Sequence, residues 1–284
     1  MRLVWSLIGV TVASLGWFAY DQVDRRPGNS RVGLSPPVDA ARPIAASDAY
    51  WIEELTWMEV RDAIASGHRT VLIPVGGIEQ NGPYVVTGKH NVILKGTSQA
   101  IAERLGNALI APIVAFVPQG EIEPPSGHMR YPGTISVSEH SFRSLLHDIV
   151  LSLKAHGFNE IILIGDSGGN QDGMAAIASE LDGNGARVFH VTEYYDWDER
   201  ANWLAAQGFD EVDEGIHDEL SVELIMLAVD PDAVRINARI EAGRFAINGI
   251  PLEPVDEMRR VGWRLIAHIA DKTVAAIHRR RAGK

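Results

Sequence analysis

The chain has 284 residues, a formal net charge of -11 and 46% hydrophobic residues, which fits a globular protein of one large domain or two small ones. It contains no cysteine, which excludes structural disulfides, a cysteine nucleophile and thiolate metal sites. The acidic balance and the lack of a long basic patch argue against a nucleic-acid partner.

The N-terminal sequence predicts export. Arg2 precedes a run of apolar and small residues that ends at position 20, which is typical of a signal peptide. The run is also long enough to cross a thin bilayer, so an uncleaved anchor is an alternative. We therefore expect a signal peptide or anchor in residues 1–20, a linker in 21–49 and a folded domain in 50–284. The protein is then periplasmic, or attached to the inner membrane through its N-terminal segment only.

In the folded part, buried apolar runs alternate with segments of helical spacing. The predicted strands are residues 70–75, 108–117, 160–165 and 187–192. The predicted helices are residues 55–66, 97–105, 136–156, 174–181, 217–229 and 258–279. The third helix is expected to begin with a capping box, Ser-Val-Ser-Glu, at 136–139. This alternation predicts a parallel sheet that is covered by helices on both faces.

Polar residues follow two of the predicted strands. One cluster extends from Glu79 to His90 after the first strand, and the other, 166–170, directly follows the third. If these two strands are neighbours, both clusters meet in one crevice at the carboxyl ends of the strands. A long loop, 118–134, adds His128.

The same crevice could receive residues from the segment near 217, which carries His217, Asp218, Glu219 and Glu223. Carboxylate and imidazole groups together form the ligand set of Zn²⁺, Mn²⁺ or Fe²⁺ hydrolases. An ion of this kind lowers the pKa of a bound water and polarises a carbonyl group.

Two segments have alternative interpretations. Gly168, Gly169 and Asn170 could form only a tight strand-to-helix turn, or could bind an anion at a helix N-terminus. A serine nucleophile elbow is unsupported, because Asp166 occupies the position of the first glycine in that motif. The aromatic residues after the fourth strand could wall a pocket or form an oligomer contact; they are Tyr194, Tyr195, Trp197 and Trp203.

Several motifs resemble those of the creatininase (creatinine amidohydrolase) family. Residues 74–84 resemble the family's Pro-x-Gly-Ser-x-Glu-Gln-His-Gly-Pro-His signature, and 131–136 resemble its Phe-Pro-Gly-Thr-Ile segment. Residues 156–158 and 165–170 resemble its His-Gly-Phe and Asn-Gly-His-Gly-Gly-Asn blocks. Residues 215–217 resemble the start of its late His-containing block. The chain is similar to a divergent branch of that family that carries Glu-Gln-Asn-Gly and Gly-Lys-His-Asn.

The resemblance implies a three-layer α/β/α sandwich with a mostly parallel central sheet, assembled as a hexamer. It also implies a dinuclear metal centre that hydrolyses cyclic or linear amide C–N bonds. Glu79 matches a metal ligand of the family, and His217 matches its proposed proton shuttle. Other ligand positions differ: a histidine ligand is replaced by Asn81, the bridging aspartate by His90, and a further histidine by Ser167.

These observations predict a metal-dependent amidohydrolase with a rewired site and one Zn, Mn or Fe ion per subunit. Its expected metal ligands are Glu79, His90 and Asp166. His217 and Glu79 are expected to be catalytic, with His217 transferring a proton to the leaving nitrogen. The expected substrate-binding residues are Asn81, His128, Gly168, Gly169 and Asn170.

The alternative is a non-catalytic binding or scaffold protein that has lost the metal centre, because Asn81 and Ser167 are poor ligands for transition metals. In the enzyme hypothesis the expected partners are a small amide molecule and further copies of the same chain.

Overall fold

The computed structural model describes residues 36–183, 185–210, 217–244, 246–247 and 250–283. The chain forms two compact units, Met1–Pro43 and Ile44–Lys284. The described part of the first unit contains neither helix nor strand. The predicted signal peptide or anchor lies outside the described residues, as does most of the predicted linker. No helix in the described part of the chain combines the length and the hydropathy that a membrane crossing requires.

The centre of the second unit is a four-stranded parallel sheet with the strand order β2-β1-β3-β4. Its strands are β1 (Thr70–Val75), β2 (Ala108–Ile110), β3 (Glu160–Gly165) and β4 (Arg187–His190). Every residue of β1 and β3 is buried, as expected for parallel strands that are covered on both faces. The two strands are neighbours, and Val75 pairs with Gly165 at their carboxyl ends.

Helices cover both faces of this sheet. They are α1 (Trp57–Ala65), α2 (Lys89–Leu105), α3 (Glu139–Ala155), α4 (Gln171–Leu181), α5 (Trp197–Ala206), α6 (Leu220–Val229), α7 (Ile236–Glu241) and α8 (Val255–Arg281). A small hairpin of β5 (Ala246–Ile247) and β6 (Ile250–Pro251) precedes α8. Leu72 belongs to the core that includes α2, α6 and α8, whereas Ile73 belongs to the core with α1, α3 and α4. The predicted three-layer α/β/α sandwich is therefore confirmed.

Several predicted helix starts were wrong. Helix α2 begins at Lys89 and not near residue 97, so His90 lies in the first turn of a helix. Gly96 interrupts the helical pattern of the sequence, but a side chain there would collide with Val229, so the glycine permits close packing of α2 against α6. Helix α3 is capped by Ser138, whose hydroxyl accepts from the backbone N–H of Ser141, and not by the predicted capping box.

The structure also differs from the prediction in the bounds and number of other strands and helices. The second strand ends at Ile110, and the chain continues only through isolated bridges at Val114 and Val117. The fifth predicted helix begins at Leu220 and not at 217, so His217 lies in the segment before it. Helices α5 and α7 and the hairpin were not predicted, because these segments are short and lack a clear apolar period.

A buried charge cluster joins α6, α7 and the segment before α6. The guanidinium of Arg239 lies 2.9 Å from Glu223 and 3.2 Å from Asp218, and it packs over the ring of Tyr84. Burial raises the pKa of Glu223 well above its ordinary value; Asp218 adds to this shift, and the charge of Arg239 opposes it. One guanidinium therefore serves two carboxyl groups, and burial favours the protonated form of Glu223.

The raised pKa gives a pH-dependent contribution to stability. Folding favours protonated Glu223, so the stabilisation is present below its ordinary pKa of 4.5 and is lost as the pH rises towards its folded-state pKa. We expect Glu223→Gln, which keeps a neutral side chain, to gain stability relative to the wild type between about pH 5 and about pH 8. Urea unfolding at both pH values measures this difference. Glu241→Gln, at an exposed position, is the control, and a pH-independent difference for Glu223→Gln would contradict the assignment.

Candidate metal centre

The carboxyl ends of β1 and β3 open into a cavity of about 670 Å³. Most of the residues singled out from the sequence lie in its wall, as the neighbouring strands predict. The residues that line it are Glu79, Lys89, His90, Pro118, Gln119, Gly120, Gly127, His128, Ser167, Gly168, Gly169, Tyr195, Trp197, His217 and Glu219.

The carboxylate of Glu79 is the centre of this wall and is only 1% exposed. Its Oε1 atom lies 2.7 Å from His90 Nε2, 3.0 Å from His217 Nδ1 and 3.3 Å from Lys89 Nζ. Its Oε2 atom lies 3.6 Å from His128 Nε2. Burial alone would raise the pKa of Glu79, but the hydrogen bond from His90 and the nearby positive charges outweigh it and lower the pKa to about 2. Glu79 is therefore an anion that nitrogen atoms surround.

Three of these side chains form a group that can hold a metal ion. Glu79, His128 and His217 offer ligand atoms that all lie within 4.8 Å of one another. Catalytic zinc sites use three protein ligands, such as two histidines and one glutamate, and leave a further position for water or substrate. Two ligand atoms that each lie about 2.1 Å from an ion at a tetrahedral angle are about 3.4 Å apart. His217 Nδ1 lies 3.0 Å from Oε1 of Glu79, and His128 Nε2 lies 3.6 Å from Oε2 of the same carboxylate. Both distances are close to this value, and the group could hold a divalent ion.

Neighbouring groups orient both imidazoles towards Glu79. His128 Nδ1 lies 3.0 Å from Gln80 Oε1, and a hydrogen bond from its N–H to that oxygen turns Nε2 towards Glu79. The rings of His128 and His217 stack with centroids 5.2 Å apart. Burial lowers the pKa of His217 to about 4, with a contribution from the charge of Lys89, so this imidazole is neutral at pH 7.

The backbone at His217 has an uncommon conformation. Its φ angle is 55°, in the left-handed region that non-glycine residues rarely adopt. The following residue, Asp218, is buried and ion-paired with Arg239. The buried cluster of Arg239 therefore anchors the chain next to the imidazole of His217.

The predicted trio Glu79, His90 and Asp166 also comes together, as a hydrogen-bonded chain. Besides its bond to Glu79, His90 donates through Nδ1 to Asp166 at 2.9 Å, and Asp166 also accepts from Arg200 at 3.2 Å. Burial lowers the pKa of His90, but the two carboxylates outweigh burial and raise it. Both nitrogens of His90 are thus occupied as donors. Metal binding by His90 and Asp166 stays a prediction. Their observed contacts are the hydrogen bonds that join Glu79, His90, Asp166 and Arg200.

The predicted substrate-binding residues have different places. Gly168, Gly169 and His128 line the cavity. Asn81 donates to the backbone carbonyl groups of Glu79 and Val86, at 3.1 and 2.7 Å, and so shapes the loop. Asn170 is fully buried and donates to the carbonyl of Gly76 at 2.7 Å. Their contact with a substrate stays a prediction, and the described contacts of both asparagines are to backbone.

The sequence analysis assigned no role to two charged residues of this region. Lys89 lines the cavity, and Arg200 is buried behind it. Glu219, one of the carboxylates noted near residue 217, also lines the cavity. Lys89 directly precedes His90, which was a usable signal, whereas Arg200 lies on the unpredicted helix α5. Two of the aromatic residues after the fourth strand, Tyr195 and Trp197, are in the cavity wall.

Comparison with known proteins agrees with the geometry. The profile of the creatininase family, described as creatinine amidohydrolase, matches residues 53–273. Creatinine amidohydrolase of Pseudomonas putida is 25% identical over 224 residues, which are 75% of this chain and 84% of that protein. The mycofactocin precursor peptide peptidase of Mycobacterium ulcerans is 26% identical over 209 residues, 70% of this chain and 72% of that protein.

A solved structure described as a manganese creatininase has the same fold. It superposes with a TM-score of 0.58 at 20% identity and covers 82% of this chain and 98% of its own. The profile match spans all four strands of the central sheet and every side chain of the candidate metal group. The chain therefore belongs to the creatininase family.

Proposed function

We propose that the protein is a metal-dependent hydrolase of amide C–N bonds that holds one divalent ion on Glu79, His128 and His217. The observation that carries this proposal is one carboxylate and two imidazoles within 4.8 Å of one another in the cavity wall. Both related proteins are named for the hydrolysis of amide or peptide bonds. The ligand set expected from the sequence was Glu79, His90 and Asp166. The proposed set keeps Glu79 and replaces the other two residues by His128 and His217.

A divalent ion bound by these residues lowers the pKa of water and polarises the carbonyl group of the substrate. Zn and Mn both suit a ligand set of carboxylate and imidazole. His90 supports the site by donating to Glu79, which fixes the orientation of that carboxylate.

Glu219 is the second carboxylate among the residues that line the cavity, and we assign proton transfer to it. It accepts a proton from the attacking water and returns one to the leaving nitrogen. Water adds to the carbonyl carbon, the C–N bond breaks, and the products are a carboxylic acid and an amine. With His217 as a ligand, the proton-shuttle role expected from the resemblance passes to Glu219.

The remaining walls suit a small planar amide group. Tyr195 and Trp197 provide aromatic surface. A Cβ atom at Gly168 would lie 3.2 Å from the hydroxyl of Tyr195, and one at Gly169 would lie 3.0 Å from the carbonyl oxygen of Pro118. The two glycines therefore keep the cavity open between these groups, and its volume accommodates a small molecule or the end of a peptide.

We also propose, from the N-terminal sequence, that the protein is exported and functions in the periplasm or at the inner membrane. Self-association, as a hexamer, is proposed from the family resemblance. Fractionation of cells that express the chain with and without residues 1–20 tests the first proposal, and sedimentation analysis tests the second.

Metal analysis of the purified protein tests the proposed centre. After dialysis against Mn²⁺ or Zn²⁺, we expect about one ion per chain, because the described residues of the cavity offer one three-ligand group. Glu79→Gln removes the anionic ligand and is expected to abolish tight binding. Glu103→Gln, on the exposed surface of α2, is the matched control and should retain the ion. Two tightly bound ions in the wild type would refute the single-ion site, and none would favour a non-catalytic binding protein.

The role of Glu219 is tested by kinetics. A metal-supplemented screen of cyclic amides, formamides and short peptides first identifies a substrate. On that substrate, Glu219→Gln is expected to lower kcat by about 10²–10⁴-fold while the metal content is unchanged, because the variant cannot accept a proton. Glu121→Gln, an exposed residue near the cavity mouth, should behave as the wild type. An unchanged kcat in Glu219→Gln would exclude proton transfer by this residue.

A further inference from the structure

The ammonium group of Lys89 has no evident structural use. Lys89 is the first residue of α2, is only 1% exposed, and lines the cavity. Its Nζ atom makes no hydrogen bond within the described part of the chain. An ammonium group carries three N–H donors, and burial without acceptors is costly. Lys89 therefore keeps donor capacity available in the cavity.

Pairing with Glu79 does not account for this lysine. Lys89 Nζ lies 3.3 Å from Glu79 Oε1, but His90 already donates to the same oxygen at 2.7 Å. Burial lowers the pKa of Lys89, and the negative charges of Glu79, Asp166 and Glu219 oppose that lowering. A second cationic group next to an already paired carboxylate oxygen suits a further anionic group in the cavity.

The wall of the same cavity contains a second feature that favours negative charge. The 3-10 helix Gly168–Asn170 continues directly into α4, so the positive end of that helix dipole lies at Ser167 and Gly168. Both residues line the cavity together with Lys89. A buried ammonium and a helix N-terminus thus face one space.

We propose that Lys89 is a catalytic residue that binds the oxyanion formed when water adds to the amide carbonyl, an inference that rests on the proposed function. As the water oxygen bonds to the carbonyl carbon, the π electron pair moves onto the carbonyl oxygen, and Lys89 Nζ–H donates to it. When that pair re-forms the double bond, the C–N bond breaks and the nitrogen leaves with the proton returned by Glu219. Lys89 donates this hydrogen bond without transferring a proton and acts as a preorganised donor.

The test compares Lys89→Met with Lys95→Met, the same change at an exposed position of the same helix. Lys89→Met is expected to lower kcat by about 10²–10³-fold, as loss of an oxyanion donor does, with KM and the metal content close to those of the wild type. Methylphosphonate, a tetrahedral anion, is expected to bind this variant at least about 10-fold more weakly in calorimetric titration. Lys95→Met should match the wild type in all three measurements.

The outcomes separate this inference from the proposed function. If Lys89→Met keeps the wild-type kcat and methylphosphonate affinity, or if it loses the metal, the oxyanion role is wrong and the proposed hydrolase can still stand. If the wild type binds no metal and cleaves no amide, the proposed function fails, and weaker methylphosphonate binding by Lys89→Met would still show an anion site. Equal methylphosphonate binding by the wild type and by Lys89→Met would overturn the anion site as well. Lys89→Gln, checked by thermal unfolding, replaces Lys89→Met if that variant does not fold.

Discussion

A buried carboxylate at the end of a central strand is the constraint on which the site depends. Glu79 follows β1 and is almost fully enclosed, and a lone carboxylate in that position would be strongly disfavoured. The fold meets this requirement with nitrogen-bearing side chains from three directions. The first turn of α2 supplies Lys89 and His90, the long loop after β2 supplies His128, and the segment before α6 supplies His217. Three segments that are distant in the sequence therefore meet at the carboxylate of Glu79.

The charges around the second carboxylate, Asp166, fit the proposed single ion. Asp166 is fully buried at the end of β3, and it is paired with His90 on one side and with Arg200 on the other. The resemblance places a bridging carboxylate ligand of the family at the position of His90. In this chain His90 occupies that position and donates to both Glu79 and Asp166. His90 and Arg200 therefore supply the positive charge next to Asp166. Among the described residues, His128 and His217 present imidazole nitrogens to Glu79 and line the cavity.

The sequence was sufficient to predict the parallel sheet and the meeting of its two polar clusters in one cavity. The bounds of β1 and β3 were predicted correctly, because both are continuous apolar runs that polar, glycine-containing segments follow. Their parallel pairing then brought the two polar clusters together. The sequence could not show which nitrogens stay free, since that depends on hydrogen bonds between distant residues. His90 was predicted as a metal ligand, yet its two ring nitrogens form hydrogen bonds with Glu79 and Asp166.

The identity of the metal ligands is the central claim, and a comparison of two variants tests it most directly. Metal content and affinity are measured for His128→Gln and for Asp166→Asn, under conditions in which the wild type binds its ion. The account predicts that His128→Gln loses tight binding, whereas Asp166→Asn retains an ion with affinity reduced by about 10–100-fold at most, as expected for a residue behind the ligands. Retention of the ion by His128→Gln together with its loss from Asp166→Asn would contradict the account.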